Sequence, residues 1–166
     1  SLYEKVSLNI NLDFHERDEW DRVEGRFQKI CSEASKLNIM VLVDAEESWI
    51  QPAIDGLVVK MMKKYNSHQP LVYNTIQTYR RDRFDYLTKL HYEYSGKIKI
   101  GIKLVRGAYM EKERIRAKKQ NYQSPICDNK SHTDILFNKS LTYIIENIND
   151  FGLFIGSHNE YSNKLS

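Results

Sequence analysis

The chain has 166 residues, 41% of them hydrophobic and 28% charged, with a formal net charge of +3, enough polypeptide to bury one core. Seven Gly and three Pro are too few for a disordered or collagen-like chain, and apolar runs such as Ile39–Val43 fall far short of the roughly 20 residues a membrane helix needs. The mild, dispersed charge carries no nucleic-acid signal, and two cysteines, Cys31 and Cys127, suit a reducing compartment rather than a disulfide framework.

Two periodicities alternate along the chain. Trp20, Val23, Phe27, Ile30, Ala34 and Leu37 fall at helical spacing on a charged background. Ile39–Val43 is a continuous apolar run of the kind shown by a strand buried on both faces. Pro52 sits where a first helical turn tolerates it, and Ile54, Leu57, Val58, Met61, Met62 and Tyr65 form one stripe that stops near Asn66. Leu71–Gln77 reads as a second strand, and Phe84, Leu87, Leu90 and Tyr94 mark a helix ended by Gly96. Ile98, Ile100, Ile102 and Leu104 alternate with Lys99, Gly101, Lys103 and Val105 as a third strand. The run Glu111–Lys119 mixes both charges, as a solvated helix or loop does. Thr133 is placed to cap a helix with Phe137, Leu141, Ile144, Ile145 and Ile148 on its buried face. Gly152 then punctuates before a fourth strand at Leu153-Phe154-Ile155. Repeated βα units of this kind imply a parallel sheet with helices packed on it. A closed (β/α)₈ barrel takes about 250 residues, so four units amount to half of one: a small open α/β sheet or part of a TIM-like barrel.

In such architectures function collects where strands end. Here the strands run into Asp44-Ala45-Glu46-Glu47, into Asn74-Thr75-Ile76-Gln77, through Lys103 into Arg106-Gly107-Ala108-Tyr109, and into Ser157-His158-Asn159. The intervals each fit one βα unit, the last with an insertion. If the isoleucines of the third strand face the helices, the period of two turns Lys103 to the opposite face. There its ammonium either snorkels to solvent or takes a partner, for which Asp44 is the candidate. Asp44, Glu46 and Glu47 have no neighbouring His or Cys to complete a metal site, and Glu46 and Glu47 suit a first helical turn. Gln77 could serve a polar site or be satisfied by backbone; Gly107 either admits a ligand close to the backbone or makes a plain turn. His158, on spacing alone, reads as a structural histidine. The common nucleotide and hydrolase motifs are absent from the sequence.

The ordered blocks Val43–Glu47 with Gln51-Pro52-Ala53-Ile54, Met61–Asn66, Asn74–Tyr79, Lys103–Tyr109 with Met110–Arg114, and Ser157–Glu160 resemble the proline dehydrogenase family. The resemblance covers roughly residues 18–160, and K-L-V-R-G-A-Y at 103–109 is its most specific part. Lys103, where large bifunctional bacterial members carry Arg, points to the eukaryotic-type branch. The resemblance implies a flavoenzyme on a distorted (β/α)₈ barrel that oxidises L-proline to 1-pyrroline-5-carboxylate. A hydride passes to N5 of non-covalent FAD, and the electrons go on to a quinone or similar acceptor. Carried over by position, Asp44 and Lys103 form the polar pair of the active site. Ala45, Gln77, the backbone of Arg106, Gly107 and Ala108, and Ser157 with His158 contact flavin; Tyr109 lies near the substrate pocket.

The resemblance also implies a location in the cytoplasm or peripherally on a membrane, mitochondrial in a eukaryote. Val6–Phe14 shows no counterpart of the family's first-strand Lys motif, and the C-terminal strands and the arginine-bearing final helix have none either. The whole chain, 1–166, is therefore expected to be one incomplete barrel segment, unable by itself to turn over proline and prone to self-association through open strand edges. The competing expectations are a non-catalytic flavin- or partner-binding remnant, a hydroxyproline dehydrogenase, and an unrelated open α/β domain.

Overall fold

The computed structural model describes residues 1–157. The elements run α1 (Leu2–Ser7), α2 (Phe14–Lys36), β1 (Val41–Val43), α3 (Gln51–Tyr65), β2 (Val72–Gln77), α4 (Arg83–Tyr94), β3 (Ile100–Val105), α5 (Met110–Lys119), α6 (Lys130–Glu146) and β4 (Phe151–Gly156). The strands form one parallel sheet in the order β1-β2-β3-β4, so each crossover steps one strand further in the same direction. This is the progression of a barrel wall.

The core lies between the sheet and the helices. Val58, Met61 and Met62 of α3, Leu87 of α4, and Phe137, Leu141 and Ile144 of α6 pack with Val72, Ile76, Ile100, Ile102 and Leu104. The helical stripe of α3 and the alternation of β3 are thus observed as the sequence indicates. Asn66 closes the lower end of this layer. Its buried amide donates to the carbonyls of Val72 and Lys99 and accepts from the amides of Leu71 and Val72, filling all four of its hydrogen-bonding sites.

On the opposite face, alternation sets residues in rows. Tyr73, Gly101 and Gly152 share one level by register. A Cβ on Gly101 would stand 2.9 Å from the Tyr73 ring, and one on Gly152 only 2.3 Å from Pro70 and 2.8 Å from the Tyr73 hydroxyl. The tyrosine therefore fills space that two glycines leave empty. Thr75, Lys103 and Phe154 form the next level.

Several expectations need correction. β1 is a half-buried edge strand, not one buried on both faces: Ile39 and Met40 are exposed, because its outer edge has no strand beside it among the described residues. α2 starts at Phe14, well before Trp20, because Asp13 and Glu16 form a reciprocal capping box, the Asp-x-x-Glu pattern that nucleates a first turn. Ile30 and Leu37 of its stripe are exposed. Asn129, not Thr133, caps α6, its side chain accepting from the His132 amide at 2.9 Å; Thr133 is buried one turn inside. Ile148 lies beyond that helix and is exposed. Gly152 is a strand residue rather than a punctuation mark. The Glu111–Lys119 run takes the helical one of its two expected forms, within α5, but Glu113 and Ala117 of it are buried rather than solvated.

Candidate active site

The C-terminal ends of the four strands open onto one groove of about 350 Å³, lined by Asp44, Ala45, Thr75, Gln77, Val105, Arg106, Gly107, Ala108, Tyr109 and Gly156. A larger cleft of about 940 Å³ shares the stretch from Arg106 to Tyr109 and extends toward the start of α6. Parallel strand direction alone brings these loops to the same side.

Lys103 projects from β3 onto the groove side, and its Nζ donates to Asp44 Oδ1 at 2.5 Å. The pair is unevenly solvated: the Lys103 side chain is 20% exposed and that of Asp44 74%. Lys103 thus takes Asp44 as its partner, and the carboxylate, sitting at the mouth, steers the tip of a partly sheltered ammonium.

Glu46 and Glu47 lie in the β1–α3 connection rather than in a helical turn. The connection is pinned from several sides. The Glu46 amide donates to Gln51 Oε1 at 2.8 Å, and Gln77 Nε2 donates to the Glu46 carbonyl at 2.8 Å. The amide and hydroxyl of Ser48 both donate to the fully buried Glu113 carboxylate of α5, at 2.5 and 2.7 Å. Lys112 pairs with Glu47 at 2.9 Å. Gln77 is buried and also accepts from the Ala108 amide at 3.3 Å, so it is satisfied by backbone while tying two groove loops together.

Gly107 stands at φ +135°, and a Cβ there would come within 2.4 Å of the Tyr79 ring. Backbone conformation and a tight approach both require glycine. Tyr79 in turn accepts from the Tyr109 amide through its hydroxyl at 3.3 Å, and burial pushes its phenol up to about 12. The Tyr109 phenol is also pushed up to about 12, chiefly by its hydrogen bond to Glu46 and secondarily by burial.

Arg106 is held by its side chain: Nε donates to Asp134 Oδ1 at 2.7 Å, a terminal nitrogen donates to Ser157 Oγ at 2.7 Å, and the guanidinium lies 4.3 Å from the Phe137 ring centroid. Burial alone would raise the Asp134 carboxyl, but Lys130 and Arg106 outweigh it and hold the group below its ordinary value. His158 lies outside the described residues. Of the sequence-predicted set, Asp44, Ala45, Gln77, Lys103, Arg106, Gly107, Ala108, Tyr109 and Ser157 are all at or beside the groove. Among the described residues no cluster of three or more His, Cys, Asp or Glu could hold a metal ion.

Sequence reasoning gives no individual role to Thr75, Tyr79, Gln51 and Glu113. Thr75 and Tyr79 leave a signal in the polar and aromatic residues of the second strand and its exit. Gln51 stands just before Pro52, but what it touches is set only by the turn. Glu113 is lost in a run of exposed charges.

A flat, heteroaromatic cofactor fits this donor set. The groove lining presents the main chain of Ala45, Gly107 and Ala108 beside the Lys103–Asp44 pair, while the space that Gly107 leaves open is filled by the Tyr79 ring.

The family model described as Proline dehydrogenase matches residues 2–166. Proline dehydrogenase 1, mitochondrial, of Arabidopsis thaliana is 34% identical over 174 residues, covering 99% of this chain and 34% of that protein. Hydroxyproline dehydrogenase of Xenopus laevis is 36% identical over 142 residues, covering 82% of this chain and 30% of that protein. The chain thus spans about a third of the length of these relatives. In fold it is similar to the crystal structure of proline utilization A from Bdellovibrio bacteriovorus inactivated by N-propargylglycine, with a TM-score of 0.81 at 20% identity over 90% of this chain and 16% of that one.

Proposed function

Because the chain belongs to the proline dehydrogenase family, we propose that it forms the flavin-facing part of an enzyme that oxidises L-proline to 1-pyrroline-5-carboxylate. The bound FAD would accept a hydride from the substrate ring carbon beside nitrogen and pass the electrons to a quinone or similar acceptor. The carrying observation is the convergence of Lys103, Asp44 and the Gly107 turn on one groove at the strand ends.

Each residue then has a physical task. Lys103, bonded to Asp44 beside the groove, would supply positive charge able to stabilise a bound flavin in its electron-rich form. Asp44 holds the tip of that side chain in one direction. Gly107, Ala108 and Ala45 present backbone to the ring, and Gln77 holds the two loops that carry them at a fixed separation. Arg106, oriented by Asp134 and Ser157, supplies a cation toward the larger cleft, suited to the phosphates of a dinucleotide. Tyr109 stays protonated through the neutral range and offers a neutral hydroxyl near the substrate. Hydride transfer asks little acid–base work of the protein once the amine is neutral; positioning is its main contribution.

The hydroxyproline dehydrogenase relative at 36% identity supports a second reading, in which the same groove serves a hydroxylated ring. The relatives named mitochondrial support that location where the source is a eukaryote. Among the described residues no helix is long and apolar enough to cross a membrane.

Titrating the purified chain with FAD tests the reading. Saturable quenching of flavin fluorescence, with no sustained proline-dependent dye reduction by the chain alone, is expected. Absence of binding would overturn the flavin reading, and sustained dye reduction would overturn the expectation that this segment is catalytically incomplete.

A further inference from the structure

Behind the sheet, between α3, α4 and β2, lies a buried polar cluster that the groove residues do not include. Arg83 grips Asp55 with both terminal nitrogens, at 2.8 and 3.0 Å, and its guanidinium lies 3.9 Å from the Tyr86 ring centroid. Asp55 Oδ1 also accepts from Asn74 Nδ2 at 2.8 Å and from Gln51 Nε2 at 2.9 Å. Asp55, Arg83, Gln51 and Asn74 are all buried.

The direction of the bonds leading away from this cluster is informative. Gln51 donates to Asp55, the Glu46 amide donates to Gln51, Gln77 donates to the Glu46 carbonyl, and the Ala108 amide donates to Gln77. Every donor points back toward the Asp55 carboxylate. A carboxylate accepts only, so it forces the Nε2 end of Gln51 to face it and leaves Oε1 as the sole end that can meet the Glu46 amide. Turned the other way, Gln51 would present N–H to N–H. Bonds aligned head to tail also polarise one another. Arg83 holds the buried carboxylate in place with both terminal nitrogens, and an unpaired charge there would carry a heavy desolvation cost.

We propose that Asp55 and Arg83 are positioning residues which, through Gln51, set the hydrogen-bond chain that holds the Ala45–Glu46 and Ala108 walls of the groove. Their bearing on catalysis rests on the flavin reading; the positioning itself does not.

Amide hydrogen exchange in the ¹⁵N-labelled 166-residue chain, read by NMR, tests this. In Asp55→Asn the amides of Glu46 and Ala108 should exchange about tenfold faster, while those of Val72 and Ile102 in the strands hold their rates. In a Gln51→Met background the same substitution should add nothing at Ala108. Unchanged rates at Glu46 and Ala108, or acceleration shared equally by the strand amides, would overturn the proposal, as would an undiminished effect without Gln51. Should Asp55→Asn fail to fold, Arg83→Lys keeps the charge but loses the two-pronged grip and is judged by the same amides. FAD titration of these variants is the separate arm: a chain that never binds flavin, yet shows the expected exchange pattern, sinks the flavin reading and leaves the positioning intact.

Discussion

Lys103 and Asp44 meet across an intervening strand. The ammonium leaves β3, passes the level of Thr75 on β2, and ends 2.5 Å from a carboxylate that follows β1. With one partner sheltered and the other largely in water, the pair belongs to the class of ion pairs that contribute about 0–1 kcal/mol to folding. Its consequence lies in where it puts charge.

Asp44→Asn should therefore leave the urea midpoint of the chain almost unmoved, within about 1 kcal/mol. Lys103→Met, in a complete enzyme of this sequence, should slow flavin reduction about 100-fold, with flavin affinity changed far less. Stopped-flow absorbance and equilibrium titration separate the two quantities. Equal losses in both would remove the electronic role assigned to Lys103.

Gly107→Ala meets both a positive φ and the Tyr79 ring at 2.4 Å. A cost of about 1–3 kcal/mol in unfolding free energy is expected. Gly56 in α3 has nothing within 4 Å of the place its Cβ would take, so Gly56→Ala should stabilise by about 0.5–1 kcal/mol. Chemical denaturation of both variants checks the sign of each effect.

The Tyr109 phenol should titrate near 12 rather than near its ordinary value of 10. A raised folded value means that the protonated phenol is favoured by the fold. Its contribution to stability is complete below pH 10 and is lost as pH rises through about 12. Absorbance at alkaline pH, taken as the difference between the chain and Tyr109→Phe, isolates this group among the eleven tyrosines. Glu46→Gln should move the titration downward; an unmoved curve would show that Glu46 is not the cause.

Among the described residues β1 and β4 occupy the two ends of the sheet, and Ile39 and Met40 are exposed beside β1. Unpaired strand edges flanked by apolar side chains invite pairing with another copy. Sedimentation velocity over a wide concentration range should show self-association that weakens in Leu42→Lys. A monomer at every concentration would refute it.

Much of this site is legible in the sequence because strand and helix periodicities are local. Alternation in Ile98–Leu104 places Lys103 away from the helices, and repeated βα units place the polar ends of four strands on one side. The capping of α6 escapes that reading for a different reason: Thr133 and Asn129 are both competent caps, and only the extended backbone at Asn129 (φ −148°, ψ 171°) makes it the one used. β1 escapes it because an apolar run does not say which of its edges has a neighbour.

From its order of residues alone this chain determines the parallel α/β class, the turn of Lys103 away from the helices and the family it resembles, since each is carried by spacing along the chain. The partnership of Lys103 with Asp44, the satisfaction of Gln77 by two loops, and the hydrogen-bond chain from Arg83 through Asp55 and Gln51 to Ala108 were decided by the tertiary structure. Each joins groups from different elements, and a hydrogen bond forms only where packing brings donor and acceptor within about 3 Å in the right direction.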